Sequence, residues 1–323
     1  MIRSMYSAIS GMLNHQLRMD VIGNNISNTN TVGYKTRRTA FTESFSQVSR
    51  SATESTPVGL SVGLGSNVVG TETSFTQGAF QRTNIETDLA IGGNGFFVVT
   101  TDQASDVGTG GYAGSGERYF TRAGNFVTDL NGFLRTADGN YVQGYSLVND
   151  NAAADQRFAQ TYTFDDSSLV VDSADPSVSG TAIAEAELHC VRIPDYITYT
   201  TPASTERISN FSIATDGAVS IVGENGTSLV IGYVVLSDFG NDNGLTYKFN
   251  NYYQSSIASG TPNYWRANDG PVGTSQSGAL ELSNVDLAAQ FADMIITQRG
   301  FDANARTVTA SDEMLQTAVN LKR

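Results

Sequence analysis

The chain has 323 residues, 40% of them hydrophobic, which is enough for more than one core. Its formal net charge is −13 with only 19 Lys and Arg; phosphate binding needs a basic surface, so nucleic acid is excluded as a partner. A single cysteine, Cys190, excludes an internal disulfide framework.

Charge is unevenly placed. Residues 1–50 carry six Lys and Arg against Asp20 and Glu43, residues 287–323 carry four charges of each sign, and the middle holds nine basic against twenty-six acidic groups. That centre faces water. No stretch approaches the ~18 apolar residues of a membrane span, so no membrane insertion is expected. Arg3, His15, Gln16, Arg18 and Asp20 break up the start, where a cleavable leader needs an apolar run. On these features alone the chain reads as cytoplasmic.

Taken in order, the first predicted element is a helix over 3–27. Apolar residues recur from Ile2 at Met5, Ile9, Met12, Met19, Ile22 and Ile26, and Met5, Met12, Met19 and Ile26 stand seven apart. Asn24, Asn25, Asn28 and Asn30 compete with helical hydrogen bonding, and Gly33 closes the segment. Residues 31–70, rich in Thr, Ser, Gln and Gly with scattered apolar positions, read as an extended connector.

A β texture occupies 71–145 and 187–284. Gly95 to Thr100 is a short apolar run bounded by glycine and Asp102, as a buried strand requires. Tyr119 to Arg122, Asn125 to Thr128, Phe133 to Arg135 and Tyr141 to Tyr145 follow as strands of a meander. Asn131-Gly132 and Asp138-Gly139 supply its tight turns. Residues 102–116 read as a long loop and 146–186 as a small inserted outer segment. Strands resume at 187–193, 211–213, 219–221 and 228–236, with turns at Asp216-Gly217 and Asn225-Gly226; the aromatic-rich stretch from Gly240 to Gly278 wraps the body.

The last element is a helix over 285–323. Leu287, Met294, Phe301, Val308 and Leu315 recur every seven residues, the period of a coiled-coil seam, while the partner line Phe291, Gln298, Ala305, Asp312 and Val319 is half apolar. Ser283 and Asn284 are ready N-caps, with Asp286 in the first turn. Two long helices paired only with each other leave apolar surface uncovered, and each exposed side chain forfeits roughly 1.5–3 kcal/mol. Packing between copies of the chain covers both faces. The expected fold class is α+β: long N- and C-terminal helices (1–30 and 285–323) forming a coiled-coil layer, a central all-β domain and the small insertion.

Catalytic chemistry finds little support. Gly59 to Gly63 spells the G-x-S-x-G of a nucleophile elbow around Ser61, but Thr56-Pro57 precedes it and Gly65-Ser66-Asn67 follows, where a strand and a helix are required. Gly108 to Ala113 resembles a dinucleotide fingerprint in letters only, with loop on both sides. His189 and Cys190 are strand neighbours pointing to opposite faces and cannot act on one substrate; neither they nor His15 have further metal ligands nearby. Asp165-Asp166 reads as a solvated loop. No enzyme activity, cofactor or metal is expected, a β-rich enzyme or binding module being the weakest reading.

The runs Ser4 to Met12, Arg18 to Ile26 and Asn28 to Lys35 resemble the N-terminal signature of bacterial flagellar rod and hook proteins, with Ser27 where alanine is common. Gly278 to Leu287, Thr297 to Arg306 and Ser311 to Leu315 are similar to the matching C-terminal signature. Phe75 to Gly78, Asp88 to Ile91, Gly95 to Val99 and Phe120 to Phe126 are similar to the β domain of that family, and 146–186 stays uncovered. The resemblance implies a non-enzymatic subunit of an axial tube, whose terminal helices form an inner coiled-coil layer lining the export channel. The implied partners are copies of the chain, neighbouring rod and hook-filament junction proteins, the hook cap during assembly, and the type III export apparatus, which delivers subunits outside the cell without a cleaved signal. The ending from Ala303 to Arg306 through Asn320 to Arg323 and the run Met19 to Ile22 look more like the hook protein than the distal rod protein, while 146–186 is small for the large outer domain that hooks often carry, which keeps the distal rod as the alternative. The expected subunit interface is Met5, Ile9, Met12, Met19, Ile22, Ile26, Leu287, Phe291, Met294, Phe301, Val308, Leu315 and Val319.

Overall fold

A computed structural model of the chain describes residues 2–50, 60–101, 117–146, 160–162, 188–193, 196–200, 203–224, 226 and 228–321. The chain divides into two compact units. One, the terminal unit, comprises Met1–Asn30, Lys35–Thr76 and Asn284–Arg323; the other, the β unit, comprises Thr31–Tyr34 and Gln77–Ser283.

In the terminal unit, helix α1 (Ile2–Ser27) and helix α2 (Leu287–Asn320) pair. Asp286 caps α2, its carboxylate accepting from the amides of Ala288 at 2.9 Å and Ala289 at 3.3 Å. This corrects the expected caps, because the Asn284 side chain is engaged elsewhere, by Thr36 and Ser74. At α1's end Asn28 Nδ2 and Thr29 Oγ1 donate to the carbonyls of Asn24 and Ile26. The helices run antiparallel: Arg18 meets Asp293 at 2.9 Å and Asn25 meets Gln290 at 3.0 Å, while Gly11 faces Asn304.

Residues 37–50 and 60–73 differ from the expected connector. Strand Arg37–Glu43 pairs antiparallel with Ser66–Thr73, and Ser46–Arg50 with Leu60–Gly63, making one long ribbon. It packs along α1, where Asn14 Nδ2 donates to Ser66 Oγ at 2.9 Å and Asn25 both donates to and accepts from the Arg37 backbone. With polar residues on both faces, the ribbon carries no alternating apolar signal. Ser61 therefore sits on a ribbon strand and not on an elbow; Gly59 lies outside the described residues.

The β unit is built around strand Ser228–Asp238. It pairs antiparallel with Ala218–Gly223, Tyr141–Ser146, Phe96–Thr100 and Asn263–Arg266. Phe96–Thr100 is buried throughout, as its apolar run predicts. Gly132 and Gly139 take φ of +80° and +90° in their turns, as the Asx-Gly pairs require, and Gly217 and Gly226 both take about the same +80°. The meander is partly corrected. Phe126–Thr128, Leu134–Thr136 and Tyr141–Ser146 follow in order, but Arg118–Thr121 lies between Phe96–Thr100 and Tyr252–Gln254. The chain leaves that strand to cross Leu89, whose amide donates to the Gly124 carbonyl at 3.0 Å.

Leu89, Phe97, Leu134, Val142, Ile221 and Leu236 form the centre of the core, and Tyr252 and Trp265 from the wrapping stretch close it. Of 146–186, only the end of Tyr141–Ser146 and strand Gln160–Tyr162 are described, the latter parallel to Tyr196–Thr200. The 102–116 loop with its Gly108 to Ala113 run, Asp165-Asp166 and Asn225 lie outside the described residues.

Candidate assembly surface

The seam between α1 and α2 is made of small and polar side chains. A Cβ on Gly11 would lie 2.7 Å from Asn304 Nδ2, and one on Gly300 would lie 2.7 Å from the His15 ring. On α2 the buried side chains are Thr297 and Ser311, whose hydroxyls donate to the carbonyls of Asp293 and Thr307, both at 2.7 Å. On α1 the buried ones are Ala8, Asn14, Ile22 and Asn25. Two backbones approach closely where Gly, Ser and Thr leave room.

The expected interface residues divide accordingly. Ile22 is buried, and Met5, Ile9, Met12, Met19 and Ile26 are half-buried. On α2, Met294, Val308 and Leu315 are half-buried, while Leu287, Phe291, Phe301 and Val319 are exposed, Phe291 by 50% and Val319 by 68%. A heptad line drifts ~20° per repeat on a straight helix. Leu287 therefore starts on the outer face, and Leu315, ~80° further round, reaches the seam. The line is not one continuous contact within the chain.

Sequence reasoning missed a second apolar set. Tyr6, Leu13 and Leu17 on α1, with Ile295, Ile296 and Met314 on α2, are each at least half exposed. At 100° per residue, Tyr6, Leu13 and Leu17 fall within ~40° of arc, and Leu287, Phe291 and Ile295 within ~80°. The spacing i, i+7, i+11 was the signal available. Leu17 also borders a groove between α1 and the ribbon, with Val21 and Val68 in its wall.

His15 is held against Gly300, and its Nδ1 is buried with no partner. Burial first, and the Arg18 charge second, push its pKa below the ordinary value. The neutral form therefore belongs to the paired helices. Its contribution is full above the ordinary value of about 6.5 and is lost as pH falls through the lowered folded value. Thermal melts of the helix signal should show a weaker terminal unit at acid pH, and His15→Gln should flatten that dependence. Gly300→Leu is expected to separate the helices. Its helix-propensity gain of about 1 kcal/mol does not offset a side chain placed where the imidazole sits. Circular dichroism at 222 nm checks this; unchanged ellipticity with intact exchange protection of α1 would refute it.

Four of the signature runs meet in two clusters. In the β unit, the Glu281 carboxylate is fully buried; it accepts from the Gly78 amide at 2.9 Å and pairs with Arg122 Nη1 at 3.5 Å. Its carbonyl accepts from the Gly33 amide at 2.8 Å. Burial pushes the Arg122 guanidinium below its ordinary value, and Glu281 and Asp242 oppose that shift. In the terminal unit, Asn284 Oδ1 accepts from the Thr36 amide at 2.7 Å, and its Nδ2 donates to the carbonyls of Ser74 and Thr76. Buried Lys35 donates to Thr76 O at 2.8 Å.

His189 is exposed and Cys190 half-buried on strand Leu188–Cys190. Among the described residues there is no group of three or more His, Cys, Asp or Glu able to hold a metal, and no helix is long and apolar enough to cross a membrane.

The terminal unit is thus a pair of helices that keeps apolar side chains exposed. Comparison with known proteins identifies the family. Residues 5–35 match the family described as flagella basal body rod protein, 90–221 the flagellar hook protein FlgE/F/G D1 domain, and 276–321 the flagellar basal body rod FlgEFG protein C-terminal. The chain is 38% identical over 329 positions to the flagellar basal-body rod protein FlgG of Bacillus subtilis, covering 100% of both. It is 28% identical over 455 positions to the flagellar hook protein FlgE of Borreliella burgdorferi, again covering 100% of both. Against the FlgE of Helicobacter mustelae, identity is 42% over 45% of this chain and 31% of that protein. The chain belongs to the FlgE/F/G family of flagellar rod and hook proteins, which is structural and not enzymatic.

Proposed function

We propose that this chain is a subunit of the flagellar distal rod, polymerising with copies of itself into a tube through its terminal helices. The observation that carries the choice of rod is length. Alignment with the FlgG relative takes 329 positions against the 323 residues here, whereas alignment with the FlgE relative takes 455. A hook subunit, forming a flexible joint that passes motor torque to the filament, is the second reading. The 42% identity over 45% of the chain to the Helicobacter mustelae hook protein favours it.

The outward apolar faces support polymerisation. Leu287, Phe291 and Ile295 on α2 and Tyr6, Leu13 and Leu17 on α1 stay 41–63% exposed, and other copies of the chain supply the missing cover. The stripe residues from Met5 to Ile26 and from Leu287 to Val319 are then shared between the helix pair and its neighbours, as a coiled-coil layer. Gln298 and Asp312 are exposed, as suits an edge facing other subunits or a water-filled channel. Neighbouring rod and hook proteins, the junction proteins and cap of a hook, and the type III export apparatus are the partners this role requires, outside the cell. Deleting the gene and imaging basal bodies tests the choice. Truncated rods support the rod reading; complete rods lacking hooks transfer the chain to the hook.

A further inference from the structure

We propose that Glu281 is a latch that fastens three segments of the β unit to its sheet independently of the apolar core. The chain passes between the two units after Asn30, Tyr34, Thr76 and Ser283. Each β-unit segment beside a crossing reaches Glu281. Gly33, in Thr31–Tyr34, donates its amide to the Glu281 carbonyl, and Gly78 donates its amide to the carboxylate. Strand Ala279–Glu281 carries the acceptor itself and pairs antiparallel with Phe80–Arg82.

The fourth member connects this bundle to the sheet. Arg122 directly follows strand Arg118–Thr121, is 3% exposed, and lies 5.3 Å from the ring centroid of Phe96 on the adjacent strand. At 3.5 Å its contact with Glu281 is long for a hydrogen bond, so it acts mainly as a buried countercharge, while the Gly78 amide fixes the carboxylate. Gly78 has no room for a side chain, since a Cβ there would lie 2.0 Å from Leu282 O. The arrangement is electrostatic and local. Leu89, Phe97 and Leu236 belong to the core cluster, whereas Phe96, the ring that Arg122 packs on, lies outside it. Opening the latch therefore frees the entry and exit segments with the core still closed, as a sub-global opening.

Native-state hydrogen exchange on the full chain tests this. In the parent chain the Gly33 and Gly78 amides should exchange at least about tenfold faster than those of Phe97 and Leu236, through local opening. Glu281→Gln removes the charge and leaves buried Arg122 with only the weaker influence of Asp242, so it risks global unfolding. The double variant Glu281→Gln with Arg122→Met removes both charges and keeps an acceptor in place. It should leave the Phe97 and Leu236 amides protected while Gly78, whose acceptor loses its charge, exchanges a further tenfold or more faster, and Gly33, bonded to the backbone carbonyl of residue 281, follows as strand Ala279–Glu281 is released. The latch is overturned if the Gly33 and Gly78 amides keep their protection in the double variant, or if they open together with Phe97 and Leu236 in both proteins.

Discussion

Phe291→Asp combined with Ile295→Asp is expected to abolish assembly into tubes at concentrations where the parent chain polymerises. Both side chains are on the outer face of α2, exposed by 50% and 58%, away from the seam at Thr297, Gly300 and Asn304. Burying each against a neighbour is worth roughly 1.5–3 kcal/mol, and a carboxylate in its place adds the cost of desolvating a charge. Losing about 3 kcal/mol per contact raises the critical concentration at least about a hundredfold. Electron microscopy and sedimentation of concentrated protein read the result. Fluorescence of Trp265, the only tryptophan, together with helix ellipticity shows whether the subunit stays folded. Tubes forming at the parent concentration would remove the outer face of α2 from the interface.

Arg122→Ala is expected to destabilise the β unit by about 3–5 kcal/mol, among the largest effects of any single change in the chain. The reason is asymmetric. A buried ion pair gains little over an apolar substitute, but removing one member leaves the other charged in a dry site, and Glu281 has no exposure to water. Stacking against Phe96 is lost as well. Urea unfolding followed at Trp265 measures the change, and a loss below about 1 kcal/mol would mean that water reaches Glu281. Arg122→Met with Glu281→Gln should recover much of the stability, because both charges leave together.

These two sites differ in how far the sequence exposes them. The strand from Phe96 to Thr100 and the turns at Gly132 and Gly139 are local features, set by apolar runs and by residues that tolerate positive φ, and they are legible at once. The helices are legible too, but their faces are only half so. Counting by sevens selects Leu287 to Leu315 as a seam, whereas a straight helix turns that line through ~80° and gives the contact with α1 to Gly300, Thr297 and Ser311. Small polar residues carry no hydropathy signal, so close backbone approach is invisible until both helices are placed. The ribbon of 37–50 and 60–73 is hidden for a related reason, since hydrogen bonds from Asn14 and Asn25 hold it along α1 and only scattered apolar side chains, such as Phe41 near the His15 ring, reach the helix. The cluster at Glu281 is the least legible, because Gly33, Gly78, Arg122 and Glu281 come from four separated runs and only the fold joins them.

The pairing of Asn25 with Gln290 spans 265 residues of chain. Bringing two points that far apart together in a flexible polymer costs about 5 kcal/mol of loop-closure entropy before any contact repays it. Part of the β unit is assembled from much nearer pairings, such as the ladder of Ala218–Gly223 with Ser228–Asp238, while Phe80–Arg82 and Leu89–Gly92 wait for Ala279–Glu281 and Thr274–Ser277; once folded, with Gly33 and Gly78 held at Glu281, the unit shortens that loop. The order of events follows: β structure first, helix pairing last, after the final segment of the chain is available. In refolding, the Trp265 signal should recover before the helical ellipticity, and the reverse order would contradict it. A chain built this way leaves its terminal helices unpaired until its middle is finished, so their outward apolar faces come into being last.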